Sequence, residues 1–134
     1  MTAFTLDNPV GVPSSPRKAF SNVAVIPLGD RTLLMLAGQV GWDDDHKIVG
    51  VGDLRAQTRR ALDSISRILA AHGASLADVV SLRTFLTDIS RIAEYGEVRS
   101  EYFPDLPAPT STTVEVSSLF LPEALIEIEA TAVV

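Results

Sequence analysis

The sequence predicts an α+β domain in which two helices pack on one face of a sheet, with elements in the order β-β-α-β-α-β-β. Three observations predict it. Two stretches, one between residues 53 and 73 and one between 88 and 104, carry apolar residues at helical spacing. The C-terminal stretch "LIEIEATAVV" alternates apolar and polar residues as a half-buried strand does. At 134 residues, 46% of them hydrophobic and 21% charged, the chain has enough apolar material for one core. Residues 17–134 are expected to form that single domain. Residues 1–16 hold three of the eight prolines and are expected to be a loosely ordered arm.

The elements follow in order. "SNVAVIPLGDRTLLMLAGQV" gives two strands joined around Gly29-Asp30, a favourable turn dipeptide. Within it "TLLMLAG" is apolar at both parities, so both faces of that strand should be covered. "GWDDDHKIVG" is a polar excursion, a hairpin or loop. Asp53 suits an N-cap, and from there Leu54, Ala61, Leu62, Ile65, Ile68 and Leu69 recur on one helical face until Gly73 stops it. Arg55, Arg59, Arg60, Asp63 and Arg67 occupy the other face, as solvated helix surfaces do. Ser75 to Asp78 has the capping-box pattern of a short turn. "VVSLRTFLTD" supplies a middle strand. Ile92, Tyr95, Val98 or Arg99, and Tyr102 then mark a second helix ending by Pro104. "TTVEVSSL" and "LIEIEATAVV" close the chain as two strands. One layer of two helices leaves the other sheet face open, and a homo-oligomer in which open faces meet is expected to cover it.

Composition excludes several functions. The net charge of −6, with scattered basic residues and few aromatics, is wrong for a protein that neutralises phosphates or stacks bases, so no nucleic acid is expected as partner. No apolar run approaches the roughly 20 residues of a membrane span, and no secretory signal pattern opens the chain. Without cysteine there is no thiolate chemistry, and a cytoplasmic location is the default. His46 and His72 lie far apart without partners at ligand spacing, so no metal site is expected.

Candidate chemistry comes from strand parity. In the last strand Ile126, Ile128, Ala130 and Ala132 suit the helices, which leaves Glu127 and Glu129 on the second face. In the preceding strand Val114 and Val116 share one parity and Ser111, Thr113, Glu115 and Ser117 the other. If both strands lie in one sheet, the second face collects the glutamates and several hydroxyls. Such residues are wet on an exposed face. A carboxylate partly buried there by oligomerisation loses hydration, its pKa rises, and it can act as a general acid or base.

"LAGQVGWD", "RALDSISRILAAHGASLADVVSLRTFLTDI", "YGEVRSEYF" and "LIEIEATAVV" together resemble the RidA/YjgF family, the reactive-intermediate deaminases, from about Phe20 to Val134. The resemblance implies a chorismate-mutase-like two-layer sandwich, a homotrimer with inter-subunit clefts, and a small-molecule metabolite as ligand. It implies cofactor-free hydrolysis of enamines or imines to a keto acid and ammonia. An arginine holds the substrate carboxylate in that branch, and a glutamate of the final strand positions water. The glutamate corresponds to Glu127 and the arginine's position to Ser111, which cannot replace a bidentate guanidinium. Phe20 falls where that branch keeps a tyrosine, and Gly96 where an asparagine is seen. The resemblance thus yields a cleft with Glu127 as the catalytic candidate and Ser111, Thr113, Phe20 and Arg83 as substrate-binding candidates. Arg83 serves either as an alternative carboxylate anchor or in a structural ion pair. A non-catalytic, chaperone-like binding module on the same scaffold is the alternative. Ribonuclease activity, after which some members are labelled, is disfavoured by the acidic charge and the lack of a catalytic histidine.

Overall fold

In the computed structural model, which describes residues 3–134, a single mixed sheet carries two helices on one face. The elements are β1 (Thr5–Asp7), β2 (Val23–Leu28), β3 (Arg31–Leu36), β4 (Gln39–Val40), α1 (Leu54–Ala70), β5 (Val79–Leu86), α2 (Ile92–Tyr102), β6 (Thr110–Glu115) and β7 (Ile126–Val133). The sheet order is β1-β2-β3-β7-β5-β6, with β4 also paired to β7. Every pairing is antiparallel except β5 with β6, which are parallel and joined through α2. The expected order is therefore present, with two short strands added.

One added strand corrects the expectation for residues 1–16. Thr5–Asp7 pair with Val25–Val23, and Pro9, Val12, Pro13 and Ser15 are buried. Proline has no N–H to leave unpaired, so this proline-bearing segment packs down without orphaning donors. Asn22 fastens it: its backbone N–H donates to the Asn8 Oδ1 and its Nδ2 to the Pro13 carbonyl, each at 3.0 Å.

Helix α1 starts where Asp53 accepts from the Ala56 N–H at 3.0 Å and stops before Gly73, whose φ of 73° suits only glycine without strain. It buries Leu54, Ala61, Leu62, Ile65, Ile68 and Leu69 against β3, β5 and β7. Full burial of each large aliphatic side chain is worth about 1.5–3 kcal/mol, so this face dominates the stability of the helical layer. Helix α2 buries far less, only Tyr95 and Val98. The Tyr95 hydroxyl shares a 2.8 Å hydrogen bond with Thr84 of β5. The polar flank of α1 is not merely solvated, since it forms the seam with α2. Arg55 pairs with Glu94 and Glu97, Arg59 with Glu101, and the Tyr102 hydroxyl donates to Asp63. Exposed pairs of this kind contribute about 0–1 kcal/mol each, so they align α2 more than they hold it.

Strand β7 alternates as expected, with Ile126, Ile128, Ala130 and Ala132 buried under the helices. The opposite face has no cover in the single chain. Met35 there is 49% exposed and Val114 42% exposed. They share that face with Leu33, Ile26 and Phe85, as the pairings Ile26↔Leu33, Met35↔Thr131 and Phe85↔Val114 require. "TLLMLAG" is thus covered by helices at Leu34 and Leu36 only.

Candidate functional site

The site forms around Glu127, at the end of β7 where the sheet is irregular. Met35 registers with Thr131, but Gln39 registers with Ile128. Leu36, Ala37 and Gly38 therefore oppose only Ala130 and Glu129, a β-bulge with one extra residue. The bulge is pinned by buried amides. Gln39 Nε2 donates to the Asn22 Oδ1 at 3.3 Å and to the Ala37 carbonyl at 3.1 Å, and the Ala37 N–H donates to the Asn22 carbonyl at 2.9 Å. Gly38 is then the residue under the Glu127 side chain. A Cβ on Gly38 would lie 2.8 Å from both Cγ and Cδ of Glu127, and nearer still to Oε1. Glycine serves here by leaving room for the Glu127 side chain, since its φ is not in the left-handed region.

Helix α1 fixes the approach to β7 through Gln57, which is fully buried. Its Nε2 donates to the Gly50 and Glu123 carbonyls and its Oε1 accepts from the Leu125 N–H at 2.8 Å. Gly41 lets α1 come this close, because a Cβ there would lie 2.7 Å from the Gln57 Cα. Glu127 is half-buried, and burial pushes its carboxyl above the usual carboxylate range, with the neighbouring charge of Glu129 adding to the rise. Among the described residues no side chain hydrogen-bonds to it, so its oxygens are free for water or a ligand.

The sheet register separates the expected site residues into two groups. Arg83 pairs across strands with Glu129, and Phe85 with Glu127, so Arg83 shares the Glu127 face. Its Nη1 lies 4.0 Å from the Glu129 carboxylate, at the outer limit of an ion pair. Phe20 is 43% exposed and stands two residues before Asn22, at the same end of the sheet as the bulge. Ser111 and Thr113 lie elsewhere. In the parallel pairing Leu82 faces Ser111, Thr84 faces Thr113 and Leu86 faces Glu115, so all three point to the helix side. Contacts agree: Arg99 of α2 reaches the Ser111 Oγ at 3.5 Å, and Glu115 accepts from the Ile89 N–H at 3.0 Å. The expectation that they share a face with Glu127 is corrected. The open face carries apolar residues of its own, Met35 and Phe85 among them, so the apolar parity of β6 fits that face as well as it fits the helices. Thr110, Thr112 and Val114 are the β6 residues on the Glu127 side.

Asn22, Gln39, Gly38 and Gln57 support Glu127 and were not found by parity. The dipeptide Gly38-Gln39 in "LAGQVG" was the available signal, a glycine inside a strand pattern that marks a bulge. Among the described residues, no group of three or more His, Asp or Glu side chains is placed to hold a metal ion, and no helix is long and apolar enough to cross a membrane.

The family profile described as Endoribonuclease L-PSP matches residues 13–134. A RutC family protein of Sulfurisphaera tokodaii is 42% identical over 95 residues, covering 71% of this chain and 74% of that one. The 3-aminoacrylate deaminase RutC of Acinetobacter baylyi is 38% identical over 100 residues, covering 75% and 78%. Among solved structures, Rv2704 of Mycobacterium tuberculosis, a member of the YjgF/YER057c/UK114 family, is 37% identical with a TM-score of 0.78 over 98% of this chain and 99% of that one. With this sheet, these two helices and matches of this extent, the chain belongs to the RidA/YjgF family.

Proposed function

We propose that the protein is a cofactor-free hydrolase of small enamines or imines, working as a homotrimer with Glu127 as the residue that positions water. The observation that carries this is the Glu127 carboxyl itself. It is half-buried, raised in pKa, free of hydrogen-bond partners among the described residues, and held over a glycine by a bulge that buried amides pin. A carboxylate in that state accepts a proton from water better than a fully hydrated one. The relative named as a 3-aminoacrylate deaminase acts on a substrate of this class.

The chemistry balances without a further reactant. An enamine takes a proton from solvent on carbon to become its iminium ion. Water attacks the iminium carbon while Glu127 takes one of the water's protons, giving a neutral carbinolamine. Glu127 returns that proton to nitrogen, the C–N bond breaks as the carbinolamine hydroxyl gives its proton to solvent, and ammonia and a carbonyl product leave. Because Ser111 stands across the sheet from Glu127, one chain cannot offer both to one substrate. A neighbouring copy can, since β6 is the sheet edge and the uncovered apolar face invites a second chain. A net charge of −6 supports this small-molecule role over RNA cleavage.

The test supplies 2-aminoacrylate generated in situ and follows ammonia release with wild type and Glu127→Ala. Release above the spontaneous rate by wild type and not by the variant is expected. Equal rates from both proteins, or none above background, would sink the catalytic proposal.

A further inference from the structure

We propose that Arg99 and Ser111 form a binding site for the carboxylate of a small metabolite, at the β6 edge on the helix side of the sheet. The two are brought together by α2 and the parallel strand that follows it. Tyr95 and Arg99 are one helical turn apart, and the Arg99 guanidinium lies over the Tyr95 ring, 5.4 Å from its centroid. From there Nη1 donates to the Ser111 Oγ at 3.5 Å, a long bond.

The guanidinium is otherwise uncommitted. Arg55, Arg59, Arg83 and Arg91 each have a carboxylate within 4.0 Å, but among the described residues Arg99 has none. An arginine carries five donors in a fixed fork, and one weak bond to a hydroxyl leaves the fork open. It opens into a cavity of about 280 Å³, lined also by Leu82, Ser100, Phe103 and Pro109, with no acidic residue in the lining. Positive charge without an acid, in a chain of net charge −6, selects an anion, and the planar fork selects a carboxylate. The apolar walls and the small volume suit a short aliphatic chain. Arg83 is the poorer anchor, because it stands directly opposite Glu129, its Nη1 4.0 Å from that carboxylate, on the face that also carries Glu127. If the proposed deaminase function holds, on which only the identity of the ligand rests, this pocket takes the carboxylate end of the substrate and a neighbouring copy's β7 supplies Glu127.

The experiment titrates wild type, Arg99→Gln, Ser111→Ala and Arg83→Gln with pyruvate and with methyl pyruvate, following backbone amides by NMR. Saturable pyruvate binding that shifts amides between residues 99 and 111 is expected, with methyl pyruvate inert. Arg99→Gln should weaken binding about ten-fold or more, and Ser111→Ala less, while Arg83→Gln leaves it unchanged. No saturable binding to wild type, equal binding by Arg99→Gln, or loss on Arg83→Gln alone overturns the site. The two proposals fail separately. Glu127-dependent turnover with an Arg99→Gln KM equal to wild type overturns the carboxylate site and leaves the deaminase standing. Arg99-dependent pyruvate binding without turnover does the reverse.

Discussion

Replacing Gly38 by alanine separates the placement of Glu127 from the stability of the fold. The new Cβ would lie 2.8 Å from the Glu127 Cγ and Cδ, and ordinary contact begins at 3.4 Å, so both atoms must retreat by 0.6 Å. The obstacle is a flexible side chain, and the backbone at Gly38 carries no positive φ to strain. Stability should therefore change little. The less flexible unfolded chain gains about 0.4–1 kcal/mol, and forcing Glu127 off its rotamer costs about 0.5–1.5 kcal/mol. The melting temperature of a chain this size moves about 3–4 °C per kcal/mol, so a shift of a few degrees at most is expected. Function should change much more, since a catalytic group misplaced by about 1 Å loses on the order of 100-fold in rate. Ammonia release from 2-aminoacrylate measures that loss. NMR titration of the Glu127 carboxyl should show its pKa falling back toward the ordinary range as it swings into water. Gly41→Ala is the contrast, because its Cβ meets the Gln57 backbone at 2.7 Å and α1 itself must move. Overpacking of that kind costs about 1–3 kcal/mol. If Gly38→Ala keeps wild-type turnover and an unshifted Glu127 pKa, or melts as low as Gly41→Ala, the proposed packing of Glu127 over Gly38 is wrong.

Two further outcomes follow from the same geometry. The Glu127 pKa is raised by folding, so the folded state binds more protons between the unfolded and folded pKa values and stability falls as pH rises through that window. Glu127→Gln removes the fall: it should melt above wild type at neutral pH, with the gap closing below about pH 4, and parallel melting curves at all pH values would refute the raised pKa. Met35→Asp sets a charge on the open sheet face, and light scattering should show a mass near one chain of 14.4 kDa where the proposed trimer gives three times that, with turnover lost. An unchanged mass refutes assembly through this face.

The helices and their caps were legible because each is written in local chemistry: Asp53 at the start of α1, Gly73 beyond its end, and the Ser75–Asp78 capping box, which is present with both its bonds. The β2–β3 hairpin and the parity of β7 were legible for the same reason. The N-terminal strand was not, because Thr5–Asp7 is too short to show a period and its prolines argued for looseness. The bulge was hidden too, since two residues of β4 make no pattern of their own.

Strand β6 marks the deeper limit. Parity states which residues share a face but not which face, and that choice needs one side of the sheet to be polar. Here both sides carry apolar residues, as Met35, Phe85 and Val114 show for the open one, so the alternation of β6 was compatible with either phase. What decides it is the register with β5, a pairing between residues 29 apart in the chain that no local pattern encodes. The consequence reaches function. With Glu127 on one side of the sheet and Ser111 with Arg99 on the other, the proposed carboxylate anchor and the proposed water-positioning carboxylate can meet only between copies. Under the proposed function, the open face and the edge strand belong to the active site as much as Glu127 does, because the proposed assembly through them is what would bring the two halves together.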